Sequence, residues 1–139
     1  MHSLEGRVQG RQILLPVAVL DSRNPTDLTY VECRALLDTG ATSCGISPRV
    51  IEKLGLRSHE KKRLSVATEL RMVDYFLFRV GFLPQFDQED VNQHPYIFAE
   101  TDGFSLTAPM GFDLILGMDV LSQCDFELHR NGTWKMSFG

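Results

Sequence analysis

The stretch LLDTGATSCGIS at positions 36–47 constrains the fold more than any other part of the sequence. An apolar run ends at Asp38 and is followed by residues whose side chains are too small to cover the backbone. Because glycine permits conformations and close approaches that other residues exclude, Gly40 indicates a tight turn at the end of a strand. The carboxylate of Asp38 is therefore expected to be presented at a turn and not buried in the core.

The segments around this turn predict strands. RQILLPVAVL (11–20) and TYVECRALLD (29–38) flank a turn-rich segment and predict a hairpin that delivers Asp38, with Pro16 indicating an edge or a bulge. A second, long hairpin is predicted over 64–82. Asn131-Gly132 predicts the turn of a third hairpin near the end of the chain, in which Trp134, Met136 and Phe138 share one face.

The remaining segments predict two short helices, two further strands and two loops. Ser47-Pro48 is typical of a helix start, and Gly55 of the end of that helix. DLILGMDVLSQC (113–124) predicts a buried strand that turns at Gly117 into the second helix. YIFAE (96–100) is predicted as a strand. The polar segment before it (84–95) and the segment after it (101–112) are predicted as loops.

Composition and motifs exclude several classes of function. A length of 139 residues predicts a single domain over 1–139, and no apolar stretch approaches the roughly 20 residues of a membrane span. The first residues lack the apolar segment of a secretory signal, so a cytoplasmic protein is expected. The three cysteines and four histidines show no metal-binding spacing, and no phosphate-binding loop occurs, so neither a metal nor a cofactor is expected.

Charge is unevenly distributed along the chain. The segment 81–129 contains nine acidic residues and neither lysine nor arginine, although the net charge of the chain is only −4. Such a segment is either a solvated acidic surface or a region that favours a cationic ligand or partner. The basic run RSHEKKR (57–63) is short and not interleaved with aromatic residues, so no nucleic-acid binding is predicted.

Taken in order, DTGATS, the proline-started helix ending in LGL, and DLILGMDVL resemble the retropepsin-like aspartic proteases, and the resemblance extends from about Gln12 to the end. It implies a mainly β fold, a single-lobed closed barrel with one or two short helices. Asp38, Thr39 and Gly40 match the catalytic loop of the family. Ile115, Leu116 and Gly117 match the structural element beneath that loop.

Aspartic proteolysis needs two neighbouring carboxylates that share a proton. The chain has one Asp-Thr-Gly motif, so the resemblance implies a homodimer in which each chain contributes Asp38. Thr39 is then expected to form a bond across the dimer. In the family the chain ends form the interface, so QILLPVAVL and TWKMSF are candidates here, the alternative being that Trp134, Met136 and Phe138 complete the core of one chain.

Further roles follow from the same resemblance. The substrate, a peptide or an unfolded protein, is expected to contact small residues of the catalytic loop and the tip of a flap formed by the 64–80 hairpin. Asp119 is expected to satisfy backbone amides at a helix start, not to act as a second catalytic acid, and Cys44 to be a small apolar filler. The expected substrate-binding residues are Ala41, Thr42, Ser43, Ala67, Thr68, Glu69 and Leu70.

The sequence departs from the family pattern at two places, and the first of them, at the flap, keeps a second hypothesis open. The flap sequence SVATELRMV has no glycine at its tip, and the 84–95 segment is longer than the connections of a minimal retroviral protease. The leading hypothesis is a homodimeric aspartic endopeptidase. The alternative is a weakly active or inactive module of the same fold that dimerises or binds peptides.

Overall fold

The computed structural model describes residues 1–66, 69–83, 95–107 and 110–139, with only the backbone described at Ser65, Val66 and Glu69. Within these ranges no helix is long and apolar enough to cross a membrane. The helices and strands are β1 (His2–Arg7), β2 (Leu14–Asp21), β3 (Val31–Leu37), β4 (Gly45–Ile46), α1 (Pro48–Leu54), β5 (Glu60–Val66), β6 (Glu69–Phe82), β7 (Tyr96–Ile97), β8 (Thr101–Ser105), β9 (Leu114–Leu116), α2 (Met118–Leu121), β10 (Cys124–Leu128) and β11 (Thr133–Phe138).

Most strands belong to one sheet in the order β2-β3-β9-β4-β8-β6-β5. Strand β2 also pairs with β6, with Val17 opposite Phe82, so the path of pairing returns to its first strand. Strands β3 and β9 are parallel, and Leu37 at the end of β3 lies opposite Leu116. This parallel pair brings two distant segments to the same edge of the sheet.

A smaller sheet, ordered β1-β11-β10, shares its core with the larger one. Trp134, Met136 and Phe138 on β11 are at most 3% exposed, and the ring of Phe138 lies 5.0 Å from that of Phe82 on β6. These three side chains therefore complete the core of a single chain, which was one of the two uses left open for them. The residues 14–20 of β2 are likewise paired and mostly buried within the chain.

Several local predictions are confirmed. Helix α1 begins after Ser47, whose Oγ accepts a hydrogen bond from the Val50 N–H, and it ends at Gly55 in the left-handed conformation. The predicted hairpins are present as β2-β3, β5-β6 and β10-β11, and Gly132 adopts a φ of 88° in the last turn. Pro16 lies in the part of β2 that pairs with β3 before the pairing with β6 begins, so its missing N–H costs no bond there.

The prediction of a loop over 101–112 was wrong for its first half. Residues 101–105 form β8, which pairs with both β4 and β6. Within this strand Gly103 serves packing, because a Cβ at Gly103 would lie 2.6 Å from the ring of Phe78. Strand β1 was not predicted, because HSLEGR has no alternating apolar pattern and becomes a strand by pairing with β11.

Candidate active site

Asp38 lies directly after β3, at the edge where β3 and β9 end together. Its backbone N–H donates to the Leu116 carbonyl at 3.0 Å, which extends the parallel pairing by one residue. Its Oδ1 accepts the Gly40 N–H at 2.9 Å, and the Ala41 N–H donates to its carbonyl at 3.2 Å. The carboxylate is thereby held in a tight turn and remains only half-buried, as the sequence predicted.

The start of α2 supports this turn from beneath. The Met118 N–H donates to the Ala41 carbonyl at 2.8 Å, and the Asp119 N–H donates to the Thr42 carbonyl at 3.2 Å. Gly117 allows this approach, because a Cβ there would lie 2.5 Å from the carbonyl of Ser43. The unpaired amides at a helix start are thus used to hold the turn that carries Asp38.

Asp119 faces away from the cleft described below and binds the chain behind the turn. Its carboxylate accepts the Cys44 N–H at 3.1 Å and the Val120 N–H at 3.0 Å, and it also accepts the hydroxyl of Thr101. It stays a predicted structural residue, with contacts that suit that role. The bond from Thr101 could not be foreseen, since Thr101 belongs to the strand that was predicted as a loop.

Cys44 is fully buried beside the candidate site. Its Sγ lies 3.2 Å from Asp119 Oδ1, and burial raises the pKa of the thiol far above its ordinary value, with the nearby carboxylate adding to the effect. A thiol in this state is a poor nucleophile. Its surroundings agree with the expected role of a small filler.

An open cleft of about 540 Å³ lies over the turn. One side is formed by the turn itself, a second by the β5-β6 hairpin, and a third by β8 and the chain that follows it. The volume is within the usual range for ligand sites. The lining residues are Asp38, Gly40, Ala41, Thr42, Ser43, Leu64, Arg71, Val73, Phe104, Ser105, Leu106, Thr107, Met110 and Ile115.

The predicted substrate-binding residues are only partly brought together in the described structure. Ala41, Thr42 and Ser43 line the cleft. Leu70 does not, because it alternates with Arg71 along β6 and is 69% exposed on the other face of the hairpin; its role stays a prediction. Ala67 and Thr68 lie outside the described residues, as does most of the 84–95 segment, and the Glu69 side chain is not described.

Thr39 is exposed, whereas the residues of the Ile-Leu-Gly motif lie in the cleft or beneath the turn. The Thr39 side chain is exposed and makes no hydrogen bond to another described residue, so it is accessible to a second chain. Ile115 lines the cleft, whereas Leu116 is buried beneath the turn. The cleft residues of β8 and beyond, from Phe104 to Thr107, were missed by the sequence analysis, although the alternation of small and apolar residues in TDGFSL was a signal for a strand.

A cluster of charged side chains joins the β5-β6 hairpin and the residue before it to Asp102 on β8. His59 Nε2 lies 2.8 Å from Asp102 Oδ1, and Lys62 Nζ lies 2.8 Å from Asp102 Oδ2. Burial pushes the pKa of Asp102 upward, but the hydrogen bonds from His59 and Lys62 outweigh it, and the pKa lies below its ordinary value. His59, Glu60 and Asp102 bring together ligand atoms that suit a cation, yet the Lys62 ammonium already provides a positive charge there.

The aspartate of an Asp-Thr-Gly turn, held by a strand-to-helix element and open to a cleft, is the arrangement that the resemblance to aspartic proteases implied. The family model described as "gag-polyprotein putative aspartyl protease" matches residues 28–123, and the chain belongs to this family. Among curated proteins, none matches the sequence significantly.

Solved structures agree with the fold. A retropepsin-like aspartic protease from Rickettsia conorii is 12% identical, with a TM-score of 0.60, and the match covers 98% of this chain and 90% of that one. The EIAV protease, solved with the inhibitor HBY-793, is 16% identical, with a TM-score of 0.50 and coverage of 81% and 88%. The predicted mainly β, retropepsin-like fold is therefore confirmed.

Proposed function

We propose that the chain is a homodimeric aspartic endopeptidase that hydrolyses peptide bonds with a water molecule activated by two Asp38 carboxylates, one from each chain. The observation that carries this proposal is the charge of the cleft. Asp38 is the only carboxylate among the described residues that line it. Because the chemistry needs two carboxylates, a second chain has to supply the other.

The chemistry follows from two like charges placed close together. Two carboxylates a few ångströms apart cannot both ionise easily, so the pair retains one proton over part of the acidic range. The ionised Asp38 acts as general base on the water, and the protonated one donates to the carbonyl oxygen of the scissile bond. Activity is therefore expected at mildly to moderately acidic pH.

The local geometry supports these roles. The Gly40 N–H donates a hydrogen bond to Asp38 Oδ1, which fixes the orientation of the carboxylate. In the proposed dimer, Oδ2 then interacts with the partner carboxylate and the water. The Thr39 side chain is exposed, which leaves it accessible for the proposed bond to the second chain. The apolar side chains across the cleft suit an extended peptide, whose backbone can approach the turn closely beside Gly40 and Ala41.

The test is cleavage of a denatured-protein mixture and a peptide library over about pH 3 to 8, with the oligomeric state measured in the same buffers. Asp38→Asn preserves shape and is expected to abolish cleavage. Glu32→Gln is the matched control, because it removes one negative charge from an exposed position of the strand that carries Asp38. The specific activity of the wild type is expected to rise with protein concentration as the dimer forms.

Two results would contradict the proposal. A verified monomer that cleaves at the rate of the dimer would show that no second Asp38 is needed. A folded, dimeric wild type that cleaves nothing in the library at any of these pH values would favour the peptide-binding alternative.

A further inference from the structure

Three charged side chains bridge strands that are not neighbours in the sheet. Strand β5 stands at the end of the sheet and pairs with β6, and β8 lies on the other side of β6. Lys62 Nζ on β5 nevertheless lies 2.8 Å from Asp102 Oδ2 on β8. His59 directly precedes β5, and its Nε2 lies 2.8 Å from Asp102 Oδ1. The contacts of Lys62 and His59 with Asp102 therefore cross β6, and we call them the clamp.

The clamp lies on the face of the sheet that lines the cleft. Directly paired residues of antiparallel strands point to the same face, and Lys62 is paired with Val73, which lines the cleft. The Lys62 ammonium lies 4.7 Å from the centre of the Tyr75 ring. Tyr75 is in turn paired with Phe104, which also lines the cleft. The clamp thus continues the wall that the hairpin and β8 form beside the catalytic turn.

The clamp connects the outer part of the hairpin to a strand within the sheet. Strand β6 pairs with β8 from Tyr75 onward, whereas residues 69–74 pair with β5. Lys62 belongs to this outer part, because it is paired with Val73. Strand β8 pairs on both sides, with β4 and with β6. If the outer part moved away from the cleft, the Lys62 ammonium would be drawn away from Asp102.

Asp102 is the acidic member of the cluster that belongs to β8. Glu60 also lies near both basic side chains, 3.8 Å from His59 Nδ1 and 3.9 Å from Lys62 Nζ. Because Glu60 is itself part of β5, these contacts do not connect the hairpin to β8. The Lys62 and Asp102 side chains are 40% and 31% exposed. An ion pair at this exposure shifts an equilibrium by up to about fivefold.

We infer that Asp102 is a positioning residue that holds the β5-β6 hairpin over the cleft through Lys62 and His59, and that the clamp raises the affinity for a bound peptide. A hairpin that is already held in place does not have to be ordered when the peptide binds, so the peptide binds more tightly. The inference rests on the proposed function for its ligand, an extended peptide in the same cleft.

The first measurement needs no ligand and no turnover. Amide hydrogen exchange, followed by mass spectrometry, is compared between wild type and variants. Peptides from the hairpin are expected to exchange about three- to fivefold faster in Asp102→Asn and in Lys62→Met, because the edge strand β5 opens from β6 more often. Peptides from the β10-β11 hairpin are expected to exchange as in wild type.

Two matched controls separate the clamp from a general change of charge. Glu60→Gln removes a negative charge from the same cluster and keeps the contacts to β8. Lys61→Met makes the same replacement as Lys62→Met at an exposed neighbouring position, which alternation places on the opposite face of β5. Neither control is expected to change the exchange of the hairpin.

The second measurement is peptide affinity. KM and kcat are measured on a peptide from the library, and the Kd of the same peptide, labelled with fluorescein, is measured on the Asp38→Asn protein. Asp102→Asn and Lys62→Met are expected to raise KM and Kd about three- to fivefold and to leave kcat within about twofold. Lys62→Arg keeps the cation and should restore most of the affinity. Adding Lys62→Met to Asp102→Asn should change Kd little further, because both act through one contact.

The outcomes separate this inference from the proposed function. Hairpin exchange that is unchanged in both variants overturns the inference, whatever the protein cleaves. A lowered Tm with unchanged KM and Kd would indicate a role in stability alone and also overturns it. An effect of Lys62→Met that persists in the Asp102→Asn protein would indicate direct contact with the peptide and overturn the clamp. A folded Asp38→Asn protein that binds no peptide of the library leaves no affinity to raise, and overturns it too. If the variants change both hairpin exchange and Kd while wild type cleaves nothing, the inference is supported and the protease is not.

Discussion

Replacing Gly117 by alanine is expected to disable the candidate active site through the backbone beneath it. The added Cβ would lie 2.5 Å from the carbonyl of Ser43 and 3.0 Å from the carbonyl oxygen of Ala41. Ordinary contact begins at 3.4 Å, so the turn or the start of α2 has to move by about 0.9 Å. Both neighbours are backbone atoms, which cannot rotate away as a side chain would.

This movement acts on the two hydrogen bonds that join Met118 and Asp119 to the turn, which are 2.8 and 3.2 Å long. Overpacking of this kind costs about 1–3 kcal/mol, which lowers the Tm of a chain of this size by about 3–10 °C. Because a displacement of about 1 Å at reacting groups can reduce the rate by about 100-fold, kcat is expected to fall by that order.

The assay combines kcat on a peptide substrate with thermal unfolding of the same preparations. Gly111→Ala is the matched control, since a Cβ at Gly111 meets no described residue within 4 Å and its φ is not in the left-handed region. A Gly117→Ala protein that kept wild-type kcat and a Tm within about 1 °C of wild type would show that the close approach of α2 does not hold the turn.

Three further predictions concern other parts of the molecule. Arg79 is buried and donates hydrogen bonds to four backbone carbonyls of the 21–27 segment. Arg79→Met is therefore expected to lower the free energy of unfolding by about 2–4 kcal/mol in urea titrations, and a loss below about 0.5 kcal/mol would contradict this. Hydrogen bonds from Arg49, outweighing burial, hold the pKa of Asp113 below its ordinary value, and Ser47 adds to the effect. The stability that this carboxylate contributes is present above about pH 4 and is lost as the pH falls through the lowered pKa. The free energy of unfolding of Asp113→Asn should therefore decline less steeply in acid than that of the wild type, and a parallel decline would refute this prediction. Cys44 is expected to resist thiol reagents in the native protein and to react only on unfolding, as mass spectrometry of the labelled chain would show, whereas rapid native labelling would contradict its burial.

Local signals in the sequence were sufficient for the elements with their own turn or capping chemistry. Ser47-Pro48 and Gly55 bounded α1, Asn131-Gly132 placed the last turn, and the end of β3 placed Asp38. Each of these depends on conformational preferences of a few adjacent residues.

Elements defined by distant partners could not be predicted in this way. Strand β8 contains Gly103 because the ring of Phe78 occupies the space of a side chain, and β1 is a strand because β11 pairs with it. The cleft residues that follow β8 were missed for the same reason. The face of the hairpin that Arg71 occupies follows from its pairing with Leu64. A single segment does not reveal this face, because strand register is a property of two segments together.

The acidic segment 81–129 shows the same division. In sequence it is a run without lysine or arginine, yet in the fold Asp102 pairs with Lys62, and Asp113 pairs with Arg49. Long-range strand pairing brings these opposite charges together across about 40 to 64 positions of the chain. Asp102 and Asp113 of the acidic segment therefore form ion pairs within the chain.

The sequence by itself determined that the Asp38 carboxylate lies at a turn formed by small residues, and that one chain carries a single Asp-Thr-Gly motif. Both are properties of adjacent residues. Only the tertiary structure decided what surrounds that carboxylate: which amides hold the turn, which face of the hairpin looks into the cleft, and that Trp134 and its neighbours belong to the core. The physical reason is that these features depend on contacts between segments that are far apart in the chain, which no run of adjacent residues specifies.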